Sequence, residues 1–487
     1  MGGAHGLNYL IGLVRVKAIA ILLGPSGVGL ISLYTAAIGM VGAVSSLGIG
    51  TSGVREVAQA HGHVDPANAA RTTAILRRTC WATGLLGWGL AVALAHPLSL
   101  WMFRSPDHAV ALAVLGFTLL LGAVTGGQAA ILQGGRRIGD IARLNVASAL
   151  VNTAMAIGIY AAMGERGIVP VMLTAAAVSL VSSWWFVRRI DIESVSVSWT
   201  EALLGARRLA GLGIAIMWSG LLTTGLDMAT RSMIAREYGI NAVGHYQAAW
   251  ALSGMFAGFV LNAMGTDFYP RLCGVINDHS NAVRMVNEQT EVGMMLALPG
   301  LLATLAFAPL AIELFFSKDF LLGADLVPWF LVGILGRVVS WPMGYILLAK
   351  GASRWFAATE TAFLCFQMVL VLWFVPRFGA IGAAYAFAIT YFVVTVVMLW
   401  ICFALIGFRW SANAKLLLGV SGAFVLAGIG VRMAMPGWEG TVGGGAVVLA
   451  GTVVSCRRLS VMLGSDHALV RTIRRLPGGR WIANLDR

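Results

Sequence analysis

The sequence predicts an all-α polytopic membrane protein with about fourteen transmembrane helices. Of its 487 residues, 58% are apolar and only 11% are charged, whereas a soluble protein carries about 25% charged residues. The mean hydropathy of +0.82 agrees. Apolar runs long enough to cross a bilayer as helices, about 20 residues each, recur along the whole chain. This composition excludes soluble enzymes, coiled coils and disordered chains, and the continuous runs exclude the alternating strands of an outer-membrane barrel.

Runs without Asp, Glu, Lys or Arg mark the helices in order. Residues 79–103, 108–135 and 144–164 are three such runs, and the pattern continues toward the C-terminus. The first span carries two basic residues, Arg15 and Lys17, and some later spans contain charges as well. The predicted spans are residues 5–23, 30–53, 79–101, 108–134, 144–163, 167–187, 209–235, 243–266, 292–314, 326–349, 357–375, 379–405, 414–434 and 439–456.

The distribution of basic residues predicts the orientation. If the N-terminus is cytoplasmic, 24 of the 34 Lys and Arg residues lie on the cytoplasmic side, six lie on the opposite side and four lie within spans. Cytoplasmic loops of membrane proteins collect Lys and Arg. Both termini are therefore predicted to be cytoplasmic, in a bacterial inner membrane, and the net charge of +13 needs no nucleic-acid partner. Residues 457–487 are predicted to form a basic cytoplasmic tail.

An internal repeat divides the predicted helices into two sets of six. Shifting the chain by 215 positions places Gly24 to Gly29 (GPSGVG) on Gly239 to Gly244 (GINAVG), and Gly50-Thr51 on Gly265-Thr266. Because six is an even number, both halves enter the membrane in the same direction, which is typical of parallel transporter repeats. The predicted domains are two pseudo-symmetric bundles around a central cationic cleft, two extra helices and the tail. Their bounds are residues 1–208, 209–408, 409–456 and 457–487.

The sequence shows no constellation for catalysis or for a cofactor. No Ser/His/Asp or Cys/His set stands out, and the five cysteines have no metal-ligand spacing. The glycine-rich segment at Gly24 lacks the Gly-Lys-Ser/Thr of a phosphate-binding loop. We therefore predict no catalytic residue, no metal site and no cofactor. A transporter is favoured over a membrane-embedded enzyme.

Charged residues inside the predicted spans are the candidate binding residues. A charge at the centre of a membrane helix costs about 2.5–3.5 kcal/mol, so such side chains face a partner or a wet cavity. Arg15 and Lys17 lie two positions apart on the first helix, about 200° around its axis, and cannot point the same way. Asp227 and Arg231 are spaced i,i+4 and share a helix face. Arg337 lies in the middle of the tenth predicted span.

These five residues predict an anionic ligand. Asp227 and Arg231 form either a buried structural ion pair or part of the cavity lining, and Asp227 has a second interpretation as a proton-coupling group. Arg15, Lys17 and Arg337 have no acidic residue in their own spans, so the cleft keeps an excess of positive charge. Phosphate or pyrophosphate is the expected ligand group, because the arginine guanidinium donates to its oxygens through a planar fork.

Two segments resemble the opening of the Wzx-type O-antigen and polysaccharide flippases, which belong to the multidrug/oligosaccharidyl-lipid/polysaccharide exporter superfamily. They are KAIAILLGPSGVGL at residues 17–30 and LGIGTSGVREVA at residues 47–58. The segment FGAIGAA at residues 378–384 resembles the start of the last repeat helix in that superfamily. Lys17 matches a basic residue that the family places seven positions before the first-loop glycine.

The resemblance implies an inner-membrane carrier that flips undecaprenyl-pyrophosphate-linked oligosaccharide. Membrane lipids, and a polysaccharide polymerase and chain-length proteins, are its expected partners. Three alternatives stay open at this point. A drug/cation antiporter of the same superfamily would need an acidic cleft, and a lipid II flippase would lack the GPSGVGL opening. A membrane-embedded glycosyltransferase or ligase would need a large external loop.

Overall fold

The computed structural model describes residues 2–46, 53–54, 56–57, 66–135, 137–190, 195, 197–435 and 437–463. In this part of the chain the regular structure is helical, which confirms the predicted all-α class. Ten stretches of the described helices are long and apolar enough to cross a membrane. The total of fourteen spans stays a prediction. Most of the segment LGIGTSGVREVA and most of the basic tail lie outside the described residues.

The helices of the first half lie on the predicted spans, but those that hold spans 79–101 and 209–235 begin at Pro66 and Trp199, well before the predicted starts. In chain order, the helices of this half are α1 (Gly2–Ser45), α2 (Pro66–Phe103), α3 (Ala109–Leu115), α4 (Phe117–Gly134), α5 (Ile138–Met163), α6 (Ile168–Val187) and α7 (Trp199–Tyr238). Helix α1 contains the first predicted span and most of the second, because the chain stays helical on both sides of a kink at Gly24. A short 3-10 turn at Gly164–Gly167 joins α5 to α6.

The helices of the second half include the two that the repeat does not cover. They are α8 (Ile240–Val275), α9 (His279–Ala306), α10 (Ala308–Phe315), α11 (Val327–Ala349), α12 (Ser353–Phe378), α13 (Ala380–Ile406), α14 (Ala412–Ala434) and α15 (Trp438–Leu463). Helices α14 and α15 both pack against α9. A Cβ at Gly444 on α15 would lie 2.8 Å from the Ala306 side chain, so the contact between α15 and α9 is close.

The chain forms two compact units. Unit 1 comprises Met1–Gly244 with Phe315–Asp319, and unit 2 comprises His245–Leu314 with Phe320–Arg487. Helix α7, which the repeat assigns to the second bundle, packs against α1 and α2 and belongs to unit 1. The compact units therefore divide at residue 244, whereas the predicted repeat boundary lies at residue 208. The repeat and its domain bounds stay predictions.

Unit 1 contains two helix joints, residues 24–29 and 239–244, and each begins with a glycine of similar backbone conformation. Gly24 has φ 62° and ψ −168°, and Gly239, its counterpart under the shift of 215, has φ 84° and ψ 167°. A side chain is strained at such positive φ values, which explains glycine at both joints. The joints also touch: a Cβ at Gly29 would lie 2.2 Å from the Ile240 carbonyl oxygen, and one at Gly244 would lie 2.1 Å from the Pro25 carbonyl oxygen. The contact is reciprocal under the same shift, which supports the predicted repeat locally.

Helix α9 begins at His279, so its predicted start at residue 292 is wrong. Its charged N-terminal turns hid it from a search for charge-free runs. The carboxylate of Asp278 caps this end by accepting a hydrogen bond from the Asn281 backbone N–H at 3.1 Å. Further along the helix, Glu291 accepts a hydrogen bond from the Ser411 hydroxyl at 2.7 Å. The polar first turns therefore tie α9 to its own cap and to the start of α14.

We expect Asp278→Ala to fray the first turn of α9 and Asp278→Asn to retain much of the cap. The backbone and side-chain hydrogen bonds from Asn281 lower the pKa of the Asp278 carboxyl below its usual value. Above the usual pKa of an aspartate, the ionised Asp278 stabilises the helix fully. This stabilisation is lost as the pH falls through the lowered pKa of the folded protein. Hydrogen exchange of the amides at residues 279–282 measures this. Equal exchange in the wild type and the alanine variant would contradict the capping role.

Candidate functional site

The segment of α1 before the Gly24 kink carries two cations. The whole helix, from Gly2 to Ser45, contains Arg15 and Lys17 but neither Asp nor Glu. Arg15 is exposed, and Lys17 is half-buried two positions further on, so the two side chains have different surroundings as their spacing predicts. Arg15 interacts electrostatically with Tyr160 of α5. This segment can therefore present positive charge that no acid of its own helix neutralises.

The predicted pair of Asp227 and Arg231 is present on α7. Arg231 Nη1 lies 3.2 Å from Asp227 Oδ1. The Arg231 side chain is only 9% exposed, whereas that of Asp227 is 44% exposed. The guanidinium has two further partners: its Nε donates to Ser32 Oγ of α1 at 2.8 Å, and its Nη1 donates to the Asp227 carbonyl oxygen at 3.2 Å. This buried cation is thus shared by three oxygens rather than by the carboxylate alone.

The polar face of α7 lies partly against α1. A Cβ at Gly225 would lie 3.6 Å from the sulfur of Met40, an ordinary van der Waals distance, so α7 faces side chains of α1 there. Thr224 donates its hydroxyl to the Gly220 carbonyl oxygen at 2.7 Å, within its own helix. Thr223 is exposed, and Asp227 is half-buried. The side of α7 with Arg231 therefore packs against α1. The side with Thr223 and Asp227 stays more open.

Arg231 contacts α1 after the Gly24 kink, through Ser32. The structure thus brings Asp227 and Arg231 together with Ser32, and it places Arg15 and Lys17 beyond the Gly24 kink. Arg337 belongs to unit 2. The grouping of all five residues around one cleft stays a prediction.

Arg337 of α11 lies beside aromatic rings within unit 2. Its guanidinium carbon is 5.2 Å from the centroid of the Trp341 ring and 5.8 Å from that of Tyr391, distances typical of cation–π contacts. The two rings line a cavity of about 310 Å³ between α11, α12 and α13. Glu360 of α12 lines the same cavity. Arg337 therefore lies beside the rings of Trp341 and Tyr391, near this cavity.

Three polar residues described above, Glu360, Glu291 and Ser32, are not among the five predicted binding residues. Glu360 lies inside a predicted span, and an acid within a span is itself a signal of function that a search for basic residues does not find. Glu291 falls one position before a predicted span, so the error in the start of α9 hid it. Ser32 gives no signal in the sequence, because a single serine in a membrane helix usually bonds to its own backbone.

Polar contacts also fix the end of unit 1 at the turn between α2 and α3. Arg104 Nη2 lies 2.8 Å from Glu237 Oε1 at the end of α7. In the same turn, His108 Nδ1 lies 2.8 Å from the hydroxyl of Tyr34. Burial lowers the pKa of His108, and the neighbouring Asp107 opposes that shift. His108 therefore favours its neutral form and can hold the hydrogen bond to Tyr34 at neutral pH.

Comparisons with known proteins identify the family. Residues 18–323, more than half of the chain, match the family described as "Polysaccharide biosynthesis protein". The lipid III flippase of Escherichia coli K12 is 26% identical over 404 residues, covering 78% of this chain and 91% of that protein.

Solved structures show the same fold. The lipid II flippase MurJ in an inward closed conformation superposes with a TM-score of 0.69 at 13% identity, covering 94% of this chain and 99% of that one. An inward-facing multidrug resistance transporter of the MATE family superposes with a TM-score of 0.64 at 17% identity, covering 85% and 96%. The chain therefore has the same fold as these two transporters.

The family match and the flippase relative confirm the resemblance that Lys17 and the GPSGVGL segment carry. The relatives named above are themselves flippases and transporters. This chain is a multi-pass membrane protein and belongs to the family described as "Polysaccharide biosynthesis protein".

Proposed function

We propose that this protein flips undecaprenyl-pyrophosphate-linked oligosaccharide units across the bacterial inner membrane by alternating access. The product would serve the synthesis of O-antigen or of another surface polysaccharide. Both termini lie in the cytoplasm in this proposal, and a polysaccharide polymerase and chain-length proteins act downstream as partners. The name of the Escherichia coli relative, a lipid III flippase, supports a lipid-linked substrate.

The observation that carries the proposal is the positive charge of α1, a helix whose own sequence supplies two cations and no acid. Helix α1 has Arg15 and Lys17 and no acid, and Arg15 is exposed. A pyrophosphate carries negative charge on oxygens that accept hydrogen bonds from arginine and lysine. An anionic lipid-linked substrate would therefore stabilise the exposed Arg15, whereas a cationic drug would be repelled by it. This comparison favours the glycan carrier over the drug antiporter.

We expect alanine at whichever of Arg15 and Lys17 faces the ligand to lower flipping by about tenfold or more, so Arg15→Ala and Lys17→Ala are both measured. Hydrogen bonds to charged groups contribute about 1.5–3 kcal/mol, and every 1.4 kcal/mol is tenfold in affinity. The measurement is export of O-units in a flippase-null strain that carries each variant at equal membrane abundance. Lys415→Ala is the matched control, because Lys415 is exposed at the start of α14. Normal export by both α1 variants would contradict the electrostatic basis of the proposal.

The lipid II flippase alternative has its own test. The fold match to the lipid II flippase covers 94% of this chain, and both substrates carry a pyrophosphate. Complementation of a strain depleted of its lipid II flippase, run beside strains that lack flippases for different O-units, separates the two. Rescue of the lipid II strain alone would replace the proposed substrate and leave the role of α1 intact.

A further inference from the structure

Unit 1 contains a cavity with two arginines in its lining and an apolar interior. The cavity lies between α2, α4 and α6 and has a volume of about 640 Å³, which is within the usual range of about 300–1,000 Å³ for small-molecule sites. Its lining includes Arg77 and Arg188 but neither Asp nor Glu. It shares no residue with the candidate site on α1 and α7. The site is therefore positive and distinct from the predicted ligand site.

The more exposed part of the lining combines cations with tryptophan. Arg77 and Arg188 are exposed, and the Trp81 and Trp184 side chains are 49% and 50% exposed. The guanidinium carbon of Arg188 lies 4.8 Å from the centroid of the Trp184 ring and 3.8 Å from that of Trp185, which is outside the lining. Stacking on an aromatic ring uses the flat face of the guanidinium and leaves its N–H groups at the edge to donate elsewhere. Tryptophan is typical of the interface between a bilayer and water.

The deeper part of the lining is small and apolar. Cys80 and Gly127 are buried there, and a Cβ at Gly127 would lie 2.6 Å from the sulfur of Cys80. Gln128 is the polar exception, and it accepts a hydrogen bond from the buried hydroxyl of Ser183. Its carbonyl oxygen is therefore already satisfied within the protein. The interior offers a surface for a hydrocarbon chain, while the arginines offer donors for an anion.

Charge and position together define the ligand class. On the predicted orientation, the ends of α2, α4 and α6 near this cavity lie on the cytoplasmic side, where anionic lipid headgroups attract basic residues. We propose that the cavity binds an anionic membrane amphiphile, with the phosphate on Arg77 and Arg188 and a chain in the apolar interior. The amphiphile is either a phospholipid of the inner leaflet or a polyprenyl phosphate. The proposal does not depend on the flipping activity.

The test measures lipid binding to purified full-length protein by native mass spectrometry. The probes are phosphatidylglycerol, phosphatidylcholine with the same chains, undecaprenyl phosphate and inorganic phosphate. We expect the wild type to bind phosphatidylglycerol at least tenfold more tightly than phosphatidylcholine. Arg77→Gln with Arg188→Gln should lose that preference, and the corresponding double lysine variant should keep part of it. Arg189→Gln is the matched control, because Arg189 is adjacent, stacks on Trp185 and does not line the cavity.

A second variant tests the chain-binding interior separately. Val124 lies in the lining on α4, so Val124→Phe should weaken binding of every chain-bearing anion without changing the protein's charge. It also keeps the proposal testable if the double arginine variant does not fold. Displacement of phosphatidylglycerol by undecaprenyl phosphate would identify a polyprenyl site, and no displacement would identify a phospholipid site. Wild-type binding by the double glutamine variant, or equal loss in Arg189→Gln, would overturn the proposal, as would equally effective competition by inorganic phosphate.

Discussion

Alanine at Gly29 or Gly244 is expected to destabilise the protein by about 1–3 kcal/mol each, the usual result of adding a methyl group where none fits. The added Cβ would lie 2.2 Å from the Ile240 carbonyl oxygen in one case and 2.1 Å from the Pro25 carbonyl oxygen in the other. Both obstructing atoms belong to the backbone, so no side-chain rotation can relieve the contact. The two helix joints must separate instead. A thermal unfolding series in detergent measures the loss.

The double variant Gly29→Ala with Gly244→Ala should lose less stability than the sum of the single losses. Both methyl groups press on the same pair of joints, so the separation forced by the first makes room for the second. Residues in contact couple by about 0.5–3 kcal/mol in such cycles. Gly12→Ala on α1 and Gly254→Ala on α8 are matched controls, because a Cβ at either position meets nothing within 4 Å. Single variants as stable as these controls would show that the joints do not touch in the resting protein.

The helices were predictable from the sequence because membrane spans follow a simple rule. An apolar run of the right length must form a helix in lipid, since every backbone polar group has to be satisfied within the segment. The predicted spans 326–349 and 414–434 agree with α11 and α14 to within two residues. The rule fails where polar residues are helical. Residues 279–291 of α9 carry charge and a side-chain cap, so hydropathy alone could not find them.

The joint at Gly24 shows a second limit of sequence reasoning. The shift of 215 paired Gly24 with Gly239 and Gly29 with Gly244, but it treated each set as a loop between separate helices. The structure keeps α1 helical on both sides of the kink. It also packs the two joints against each other. Contact between segments about 215 residues apart depends on tertiary packing, which a repeat in the sequence does not specify.

The candidate site was predictable only in its local part. The i,i+4 spacing of Asp227 and Arg231 fixes both residues on one face of a helix, and the ion pair is present. The third partner, Ser32, lies 199 positions away in the chain and depends on how α1 packs against α7. The cavity with Arg77 and Arg188 likewise forms from three helices that are distant in sequence. Charged residues could be found from the sequence, but their surroundings could not.

Asp227→Asn is expected to lower the stability of the protein by about 1–2 kcal/mol. Removing one partner of a fully buried ion pair costs about 3–5 kcal/mol, because it leaves an unpaired charge. The Asp227 side chain is 44% exposed, and solvent screening reduces its share. Ser32 and the Asp227 carbonyl oxygen continue to accept hydrogen bonds from Arg231 in the variant. The loss should therefore be moderate and the protein should remain folded.

A double-mutant cycle that combines Asp227→Asn with Arg231→Gln distinguishes the structural role of Asp227 from proton coupling. If Asp227 serves the buried cation, the double variant Asp227→Asn with Arg231→Gln should recover most of the stability lost in the single variant. Ser32→Ala should also destabilise, by about 1.5–3 kcal/mol, because it removes a hydrogen bond to a charged group. That loss should shrink when Arg231 is replaced, since Asp227 and Ser32 both act on one guanidinium. If Asp227 instead carries the coupling proton, Asp227→Asn would be as stable as the wild type and would flip substrate without pH dependence. We expect the first result, because three oxygens surround Arg231 while its own side chain is only 9% exposed.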